Sequence, residues 1–254
     1  MCKQRVAVSF LMCTNVFDKY FQNAVNSCIN QTVKNIEIVI VVNGVDDSNE
    51  ENIKNFCKDD RIALIFSKAK YLTYNLNLGL QYCNSNYIAR MDADDISHPN
   101  RIERQLDFMS KNNVAVCGSS YRLIDKDNVI IGSIKKPESN KEIRKELYFS
   151  NPIAHPSVMF KKDSILSVGG YMGGEYAQDY DLWLRLVHTT NLKFYNLDDC
   201  LLDYRVFGSS ARSSKQAYSN VSSVQWKYFV LTYNPIWLLS SLMSFVKRIF
   251  YSKR

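Results

Sequence analysis

Tyr87-Ile88-Ala89-Arg90-Met91-Asp92-Ala93-Asp94-Asp95 is a short apolar run that empties into three carboxylates within four residues. The part from Tyr87 to Met91 reads as a buried strand. In open α/β sheets ligands gather beyond the carboxyl ends of the strands, so the acids are expected at a ligand edge. Asp92 and Asp94 stand two apart, and alternate side chains of an extended chain share a face, so both can grip one hard cation through oxygen. The glycine and distal glutamate of a calcium loop are missing. An isolated D-x-D is also common in proteins that bind no metal, so its meaning depends on the chain around it.

Upstream, strand and helix alternate. Strand Arg5 to Met12 leads to a helix from about Phe17 to Gln31, strand Ile36 to Val42, a polar helix Asp46 to Lys58, strand Arg61 to Phe66 and helix Tyr71 to Cys83. Repeated β-α units of this length imply an α/β fold with a mostly parallel sheet and helices on both faces. Downstream, His98-Pro99 precedes a helix over Asn100 to Asn112, with Ile102, Leu106 and Met109 at helical spacing. From Val114 the pattern changes: Val114 to Cys117, Tyr121 to Ile124 and Val129 to Ile131 read as strands, with a hairpin around Asp125 to Asn128. A charged helix over Asn140 to Phe149 follows, then an extended path through Asn151-Pro152 and His155-Pro156. Gln178 to Leu186 reads as a helix with Asp179 in or near its first turn.

With 254 residues, 46% hydrophobic and 22% charged, the chain can bury a large core as one α/β domain plus an appendage. Its seven cysteines are odd in number and form no C-x-x-C pair, which favours reduced thiols in the cytoplasm over disulfides or a zinc site. The run Val6 to Cys13 is too short for a membrane span and has no small-residue cleavage signal behind it, so a first strand is expected there rather than a secretory peptide. Charge is uneven: the 25 acids all lie at or before Asp203 among 24 Lys and Arg, whereas the remainder carries eight cations and no acid. A neutral body with a cationic end points to a local anionic partner rather than to nucleic acid. In the tail, Leu238, Leu242, Phe245 and Ile249 line one helical face and Ser240, Ser244, Lys247 and Tyr251 the other. The apolar stretch is too short and serine-rich to cross a bilayer, which leaves a helix lying in an anionic membrane interface or one packed on its own domain.

Several of these stretches resemble glycosyltransferase family 2, inverting enzymes with the nucleotide-sugar-binding fold called GT-A. Arg90 to Asp95 followed by Pro99-Asn100-Arg101 is similar to its D-x-D segment. Ser27, Gln31-Thr32 and Glu37 to Val41 resemble its "S-x-x-x-Q-T…E-I-x-x-V" passage, and Leu76-Asn77 with Gly79-Leu80 its "L-N-x-G-L" helix. Asn151 to Phe160 is similar to "N-P-x-x-H-x-S-x-x-F", Gln178 to Trp183 to "E-D-x-D-L-W", and Leu201 to Phe207 to "L-x-x-Y-R-x-H". The resemblance spans roughly residues 5 to 210. It departs at Met12-Cys13-Thr14-Asn15 in place of "P-x-Y-N", at Val42-Asn43-Gly44-Val45 in place of "D-D-G-S", at Gln178, and at Phe207, where many relatives carry a histidine ligand to the metal.

The resemblance implies a GT-A catalytic domain over residues 1–212, with a nucleotide-sugar half to about 118 and an acceptor half from about 119, then a basic helical tail over 213–254. It implies Mn²⁺ or Mg²⁺ held by Asp92 and Asp94 against the donor diphosphate, and a catalytic base at Asp179. Donor contacts would come from Asn15, Asn43, Asn77, Arg90, Asp92 and Arg205, and acceptor contacts from His155 and Trp183. Ser209 to Ser214 would form either a lid or a plain polar loop. The reaction implied is transfer of a hexose, glucose or galactose, from a UDP-sugar to a lipid-linked acceptor such as GlcNAc-diphospho-undecaprenol. Such a step belongs to bacterial O-antigen or capsule synthesis on the cytoplasmic face of the plasma membrane.

Other readings stay open on the residues alone. Asp179 fits a helix N-cap, a role worth about 1 kcal/mol. Asn43-Gly44 fits a simple turn, and a lone histidine is more often structural than catalytic. A nucleotide-binding module without catalysis would fit the altered Val42-Asn43 passage, and a membrane-associated scaffold would rest on the tail.

Overall fold

Val8–Thr14 and Ile36–Asn43 are apolar at most positions because both faces of the sheet they build are covered. Their alternate side chains enter two separate cores: Val8, Phe10, Met12, Ile38 and Ile40 on one face, Leu11 and Val39 on the other. The structure, a computed structural model, describes residues 6–173, 176–207 and 215–250.

In chain order the elements are β1 (Val8–Thr14), α1 (Lys19–Ile29), β2 (Ile36–Asn43), α2 (Asp47–Phe56), β3 (Ile62–Ser67), α3 (Leu72–Tyr82), β4 (Tyr87–Met91), β5 (Ile96–Ser97) and α4 (Arg101–Asn112). They continue with β6 (Val116–Ile124), β7 (Ile130–Ile134), α5 (Asn140–Glu146), a 3₁₀ turn at His155–Ser157, β8 (Met159–Lys161), α6 (Lys162–Leu166), α7 (Gln178–Thr189), β9 (Phe194–Arg205), α8 (Lys215–Thr232) and α9 (Pro235–Phe250). The sheet order is β3-β2-β1-β4-β8-β6-β9-β5, with β7 paired to β6. β3, β2, β1 and β4 are mutually parallel, as the repeated β-α units predict. β8 runs antiparallel between β4 and β6, and the long β9 lies parallel to β6.

Helix ends follow local chemistry. Asp18 caps α1 by accepting the N–H groups of Tyr20 and Phe21 at 2.9 and 2.8 Å, and Ser139 with Glu142 forms a capping box on α5. α3 lies so close to the sheet that a Cβ on Gly79 would collide with Leu11 and stand 2.9 Å from Val41. This explains the glycine of the Leu76-to-Leu80 stretch as a packing requirement.

The sequence leaves open which side of the tail helix meets the protein, and the structure answers it. α8 and α9 form a hairpin, and the serine face of α9 is turned inward: Ser240, Ser241 and Ser244 are buried while Leu242, Phe245 and Ile249 are exposed. Trp237 is buried against Tyr148, with ring centroids 4.4 Å apart. Tyr251, Arg212, Lys253, Arg254 and the loop Ser209 to Ser214 lie outside the described residues. No helix among the described residues is long and apolar enough to cross a membrane.

Candidate active site

The strand ends of the parallel half deliver the chemistry. β4 stops at Met91 and the next turn presents Asp92, Asp94 and Asp95, whose carboxylate oxygens lie within 4.8 Å of one another. Asp92 pairs with the guanidinium of Arg90, and Asp95 is buried. Burial, and then the charge of Asp92, pushes the Asp94 carboxyl up to about 6. The same causes, with Asp94 added, hold Asp95 well above the ordinary carboxylate range. One Asp95 oxygen accepts the Arg205 N–H at 2.8 Å and the other has no partner among the described residues. Crowded carboxylates with an orphaned buried oxygen are what a divalent cation relieves, and an all-oxygen donor set suits Mn²⁺ or Mg²⁺.

Two adjoining cavities, of about 550 and 570 Å³, share Arg90, Asp92 and Leu72 in their walls and so form one cleft. The larger is lined by Asn15, Asn43, Lys70, Asp94 and Phe207. Phe207 stands edge-on to Tyr20 with centroids 5.1 Å apart, an aromatic wall where the resemblance implies a histidine. The smaller cavity is lined by Asp179, Asn151, His155, Lys136 and Tyr176. Arg90 is buried, and its Nε has no hydrogen-bond partner among the described residues.

Asp179 is the second residue of α7 and does not cap it; the N-cap is Ala177, in the left-handed region at φ 62°. Its carboxylate accepts the Tyr180 N–H at 2.9 Å and the Asn151 side-chain amide at 2.7 Å. Burial raises its pKa, opposed by those two hydrogen bonds. Asp181, two residues on, is buried in an ion pair with Arg185 at 2.7 Å. His155 Nε2 lies 2.9 Å from the Tyr171 hydroxyl, and burial together with Arg90 drives its pKa well below the usual imidazole value, which keeps it neutral.

Three of the expected contact residues lie off both cavity walls. Trp183 is fully buried behind His155, with ring centroids 6.4 Å apart, and lines neither cavity. Asn77 is absent from both cavity walls and is spent on the backbone of Tyr171, donating to its carbonyl and accepting its N–H, each at 2.8 Å. It thereby clamps the turn at Gly170, whose φ of +73° and whose 2.5 Å approach of a would-be Cβ to Asn77 Oδ1 both demand glycine. Arg205 is buried with its guanidinium donating at 2.7 Å to the carbonyls of Asp94 and Asp125 and to Asn128 Oδ1. It braces the acid turn and lines neither cavity.

Lys70, Tyr20, Lys136 and the Asn151–Asp179 bond were not legible as site features in the motifs. The β3–α3 connection that carries Lys70 opens on the same sheet edge as the acid turn, so the rule that places ligands at strand ends covers Lys70 as well.

Residues 9–168 match the family described as Glycosyl transferase family 2. The O-antigen biosynthesis glycosyltransferase WbnJ of Escherichia coli is 36% identical over 245 residues, covering 95% of this chain and 96% of its own. The chain belongs to glycosyltransferase family 2.

A second Escherichia coli family 2 relative, described as UDP-Gal:alpha-D-GlcNAc-diphosphoundecaprenol beta-1,3-galactosyltransferase, is 31% identical over 256 residues, covering 95% of this chain and 90% of its own. Among solved structures, mannosyltransferase PcManGT of Pyrobaculum calidifontis with GDP-Man and Mn²⁺ superposes with a TM-score of 0.70 at 12% identity, covering 98% of this chain and 74% of that one. TarS of S. aureus in complex with UDP-GlcNAc gives a TM-score of 0.70 at 14% identity, covering 88% of this chain and 66% of that one. The fold of this family 2 chain is therefore GT-A, as its motifs imply.

Proposed function

We propose that this family 2 enzyme transfers a hexose, galactose or glucose, from a UDP-sugar to a sugar linked through diphosphate to a polyprenyl lipid, with inversion to a β-linkage. The observation that carries the reading is the shared wall of Arg90 and Asp92, which joins the cavity of Asp94 to the cavity of Asp179. A donor diphosphate at the acid turn and an acceptor hydroxyl at Asp179 can then address one carbon. The name of WbnJ supports O-antigen biosynthesis as the setting, and that of the second Escherichia coli relative supports a UDP-sugar donor and a diphosphoundecaprenol-linked acceptor.

Asp92 and Asp94, with Asp95 behind them, would hold Mn²⁺ or Mg²⁺. Bound there, the cation supplies charge neutralisation for the departing diphosphate. Arg90 adds a fixed cation on the same wall, suited to a phosphate group. Asn43, at the end of β2, is suited to a base edge through its amide. On the other side Asp179 accepts the acceptor's proton as its oxygen attacks the anomeric carbon. The carbon-oxygen bond to UDP breaks as the bond to the acceptor forms, and the proton rests on Asp179. Neutral His155 can take part in a hydrogen bond to the acceptor sugar without adding a competing charge. Lys136 lines the same cavity, where its ammonium suits the anionic diphosphate of the acceptor.

The test is incubation of the purified protein with a panel of nucleotide sugars, Mn²⁺ or Mg²⁺, and a synthetic GlcNAc-diphospholipid, with product mass and linkage analysis. A β-linked hexosyl product from a UDP-sugar is expected. UDP binding without transfer to any acceptor of this class would overturn the reading in favour of a non-catalytic nucleotide module.

A further inference from the structure

In the C-terminal hairpin, α9 buries three serines, Ser240, Ser241 and Ser244, beside Trp237, while most of its aliphatic side chains are exposed. Along α9, Ser241 and Ser244 face α8: the Ser241 hydroxyl donates to the Ser222 carbonyl at 2.9 Å, the Ser222 hydroxyl donates to the Ser241 carbonyl at 2.9 Å, and Ser244 donates to Gln225 Oε1 at 2.8 Å. Gln225 continues inward, its amide donating to the Tyr180 hydroxyl and to the Tyr148 carbonyl at 3.1 Å each. A hydroxyl-lined seam thus pins the hairpin to the body beside the helix that carries Asp179.

The opposite side of α9 presents Leu239, Leu242, Met243, Val246 and Ile249, each between 43% and 55% exposed, and Trp226 of α8 adds its ring at 50%. These α9 positions follow i, i+3, i+4, i+7 and i+10 spacing and so share one face. A groove between the helices, lined by Trp226, Leu242 and Phe245 over a floor of Ser222, Ser223 and Ser241, opens on the hairpin surface. An apolar helical face turned away from its own protein, while hydroxyls are turned in, is the reverse of a face meant for water.

Charge selects what covers it. Past Asp203 the sequence has no acid, and exposed Lys247 and Arg248 stand in the last turn of α9, Lys247 flanking the apolar stripe and Arg248 over the Phe245 ring at 5.6 Å. A second copy of the hairpin would bring cations onto cations with no carboxylate to meet them. An anionic lipid surface supplies both an apolar layer and negative headgroups. At 16 residues, α9 lies short of the roughly 20 needed to span a bilayer, so it would lie in the interface.

We infer that the outer face of the α8–α9 hairpin docks on an anionic lipid bilayer, with Leu239, Leu242, Met243, Val246 and Ile249 entering the acyl boundary and Lys247 and Arg248 at the headgroups. This deepens the reading of a lipid-linked acceptor, on which the choice of lipid as occupant partly rests, and names the part of the chain that meets the membrane.

The experiment is co-sedimentation of the full chain with vesicles of phosphatidylcholine alone or with phosphatidylglycerol added. It uses the wild type, a Leu239→Ser, Leu242→Ser, Val246→Ser triple variant, and a Lys247→Glu, Arg248→Glu double variant. Wild type is expected to bind the anionic vesicles at least tenfold more tightly than the neutral ones, and each variant is expected to lose that binding by at least tenfold. All substituted side chains are exposed, so thermal unfolding should stay near that of wild type. Equal vesicle binding by the triple variant and wild type would overturn the inference. So would a wild type that ignores vesicles and is dimeric by light scattering while the triple variant is monomeric. Vesicle binding requires no turnover, and transfer to a short-chain, water-soluble acceptor should be unchanged in the triple variant; a failure of the enzymatic reading is therefore separable from a failure of docking.

Discussion

The side-chain amide of Asn151 donates to Asp179 Oδ2 at 2.7 Å. Its own Oδ1 accepts the Ile153 N–H at 3.3 Å, so the amide cannot be turned over without losing both bonds. The Asn-Pro stretch before the 3₁₀ turn therefore aims the proposed base, and it stabilises the ionised form against the burial that raises its pKa.

Asp179→Asn is expected to lower kcat by about 10²- to 10⁴-fold, the usual contribution of a positioned general base, while UDP binding by calorimetry persists. The acid limb of wild-type kcat/KM should lie above the ordinary carboxylate value of 3.8, because the base must be ionised and its pKa is raised. Asn151→Ala removes a hydrogen bond that favours ionisation, so the limb should move to still higher pH, with about a tenfold loss at neutral pH. A pH–rate profile superimposable on wild type would show that Asn151 has no hold on the base.

Asp94→Ala should weaken UDP binding in Mn²⁺ by about 10²-fold, and transfer should fall with it, because the carboxylate cluster loses a donor and part of its charge. The same titration in EDTA should give closely similar, weak affinities for wild type and variant. If Mn²⁺ tightens UDP binding equally in both proteins, Asp94 is not a ligand.

How much of this was readable beforehand depends on whether a residue's work is local. The parallel half followed from apolar runs and helical spacing, since each β-α unit carries its own pattern in consecutive residues. The acids followed from a strand ending in carboxylates. Arg205 did not: its partners, Asp94, Asp125 and Asn128, lie about 80 to 110 residues away along the chain, and an arginine in a motif looks the same whether it faces phosphate or carbonyl. Asn77 and Trp183 sit off the cavity walls, and that was unreadable for a related reason, because a motif marks that a residue matters and leaves open whether it touches ligand or holds up a neighbour. On α9 the periodicity was readable but its sense was not. Nothing in a helical stripe says which side meets the protein, and here the serines found partners on α8.

Arg205→Lys should leave the acid turn loose, since an ammonium cannot reproduce the planar fork that reaches Asp94, Asp125 and Asn128 together. Buried carbonyls left without donors cost about 1–3 kcal/mol, so a fall in Tm is expected. Mn²⁺ should recover part of that fall by tying the acids from the other side. A variant with wild-type Tm and a defect confined to the KM for the nucleotide sugar would instead put Arg205 on the diphosphate.

Asp203 on β9 ties the loop after β5 to β6, with His98 Nε2 at 2.7 Å from one oxygen and Arg122 donating at 2.6 and 2.8 Å to both. Its pKa is lowered: burial acts against ionisation, and the hydrogen bonds from His98 and Arg122 outweigh it. A folded-state pKa below the unfolded one contributes stability above the unfolded value near 3.8 and loses it as pH falls through the folded value. Asp203→Asn should therefore destabilise the protein by about 2 kcal/mol at neutral pH, discounted from a fully buried pair because Arg122 is partly exposed. Chemical denaturation at pH 7 and at pH near 3 checks this in one variant: the gap between wild type and Asp203→Asn should narrow on acidification. A gap of constant size would mean that the carboxylate's charge contributes nothing and that only the lost packing geometry matters.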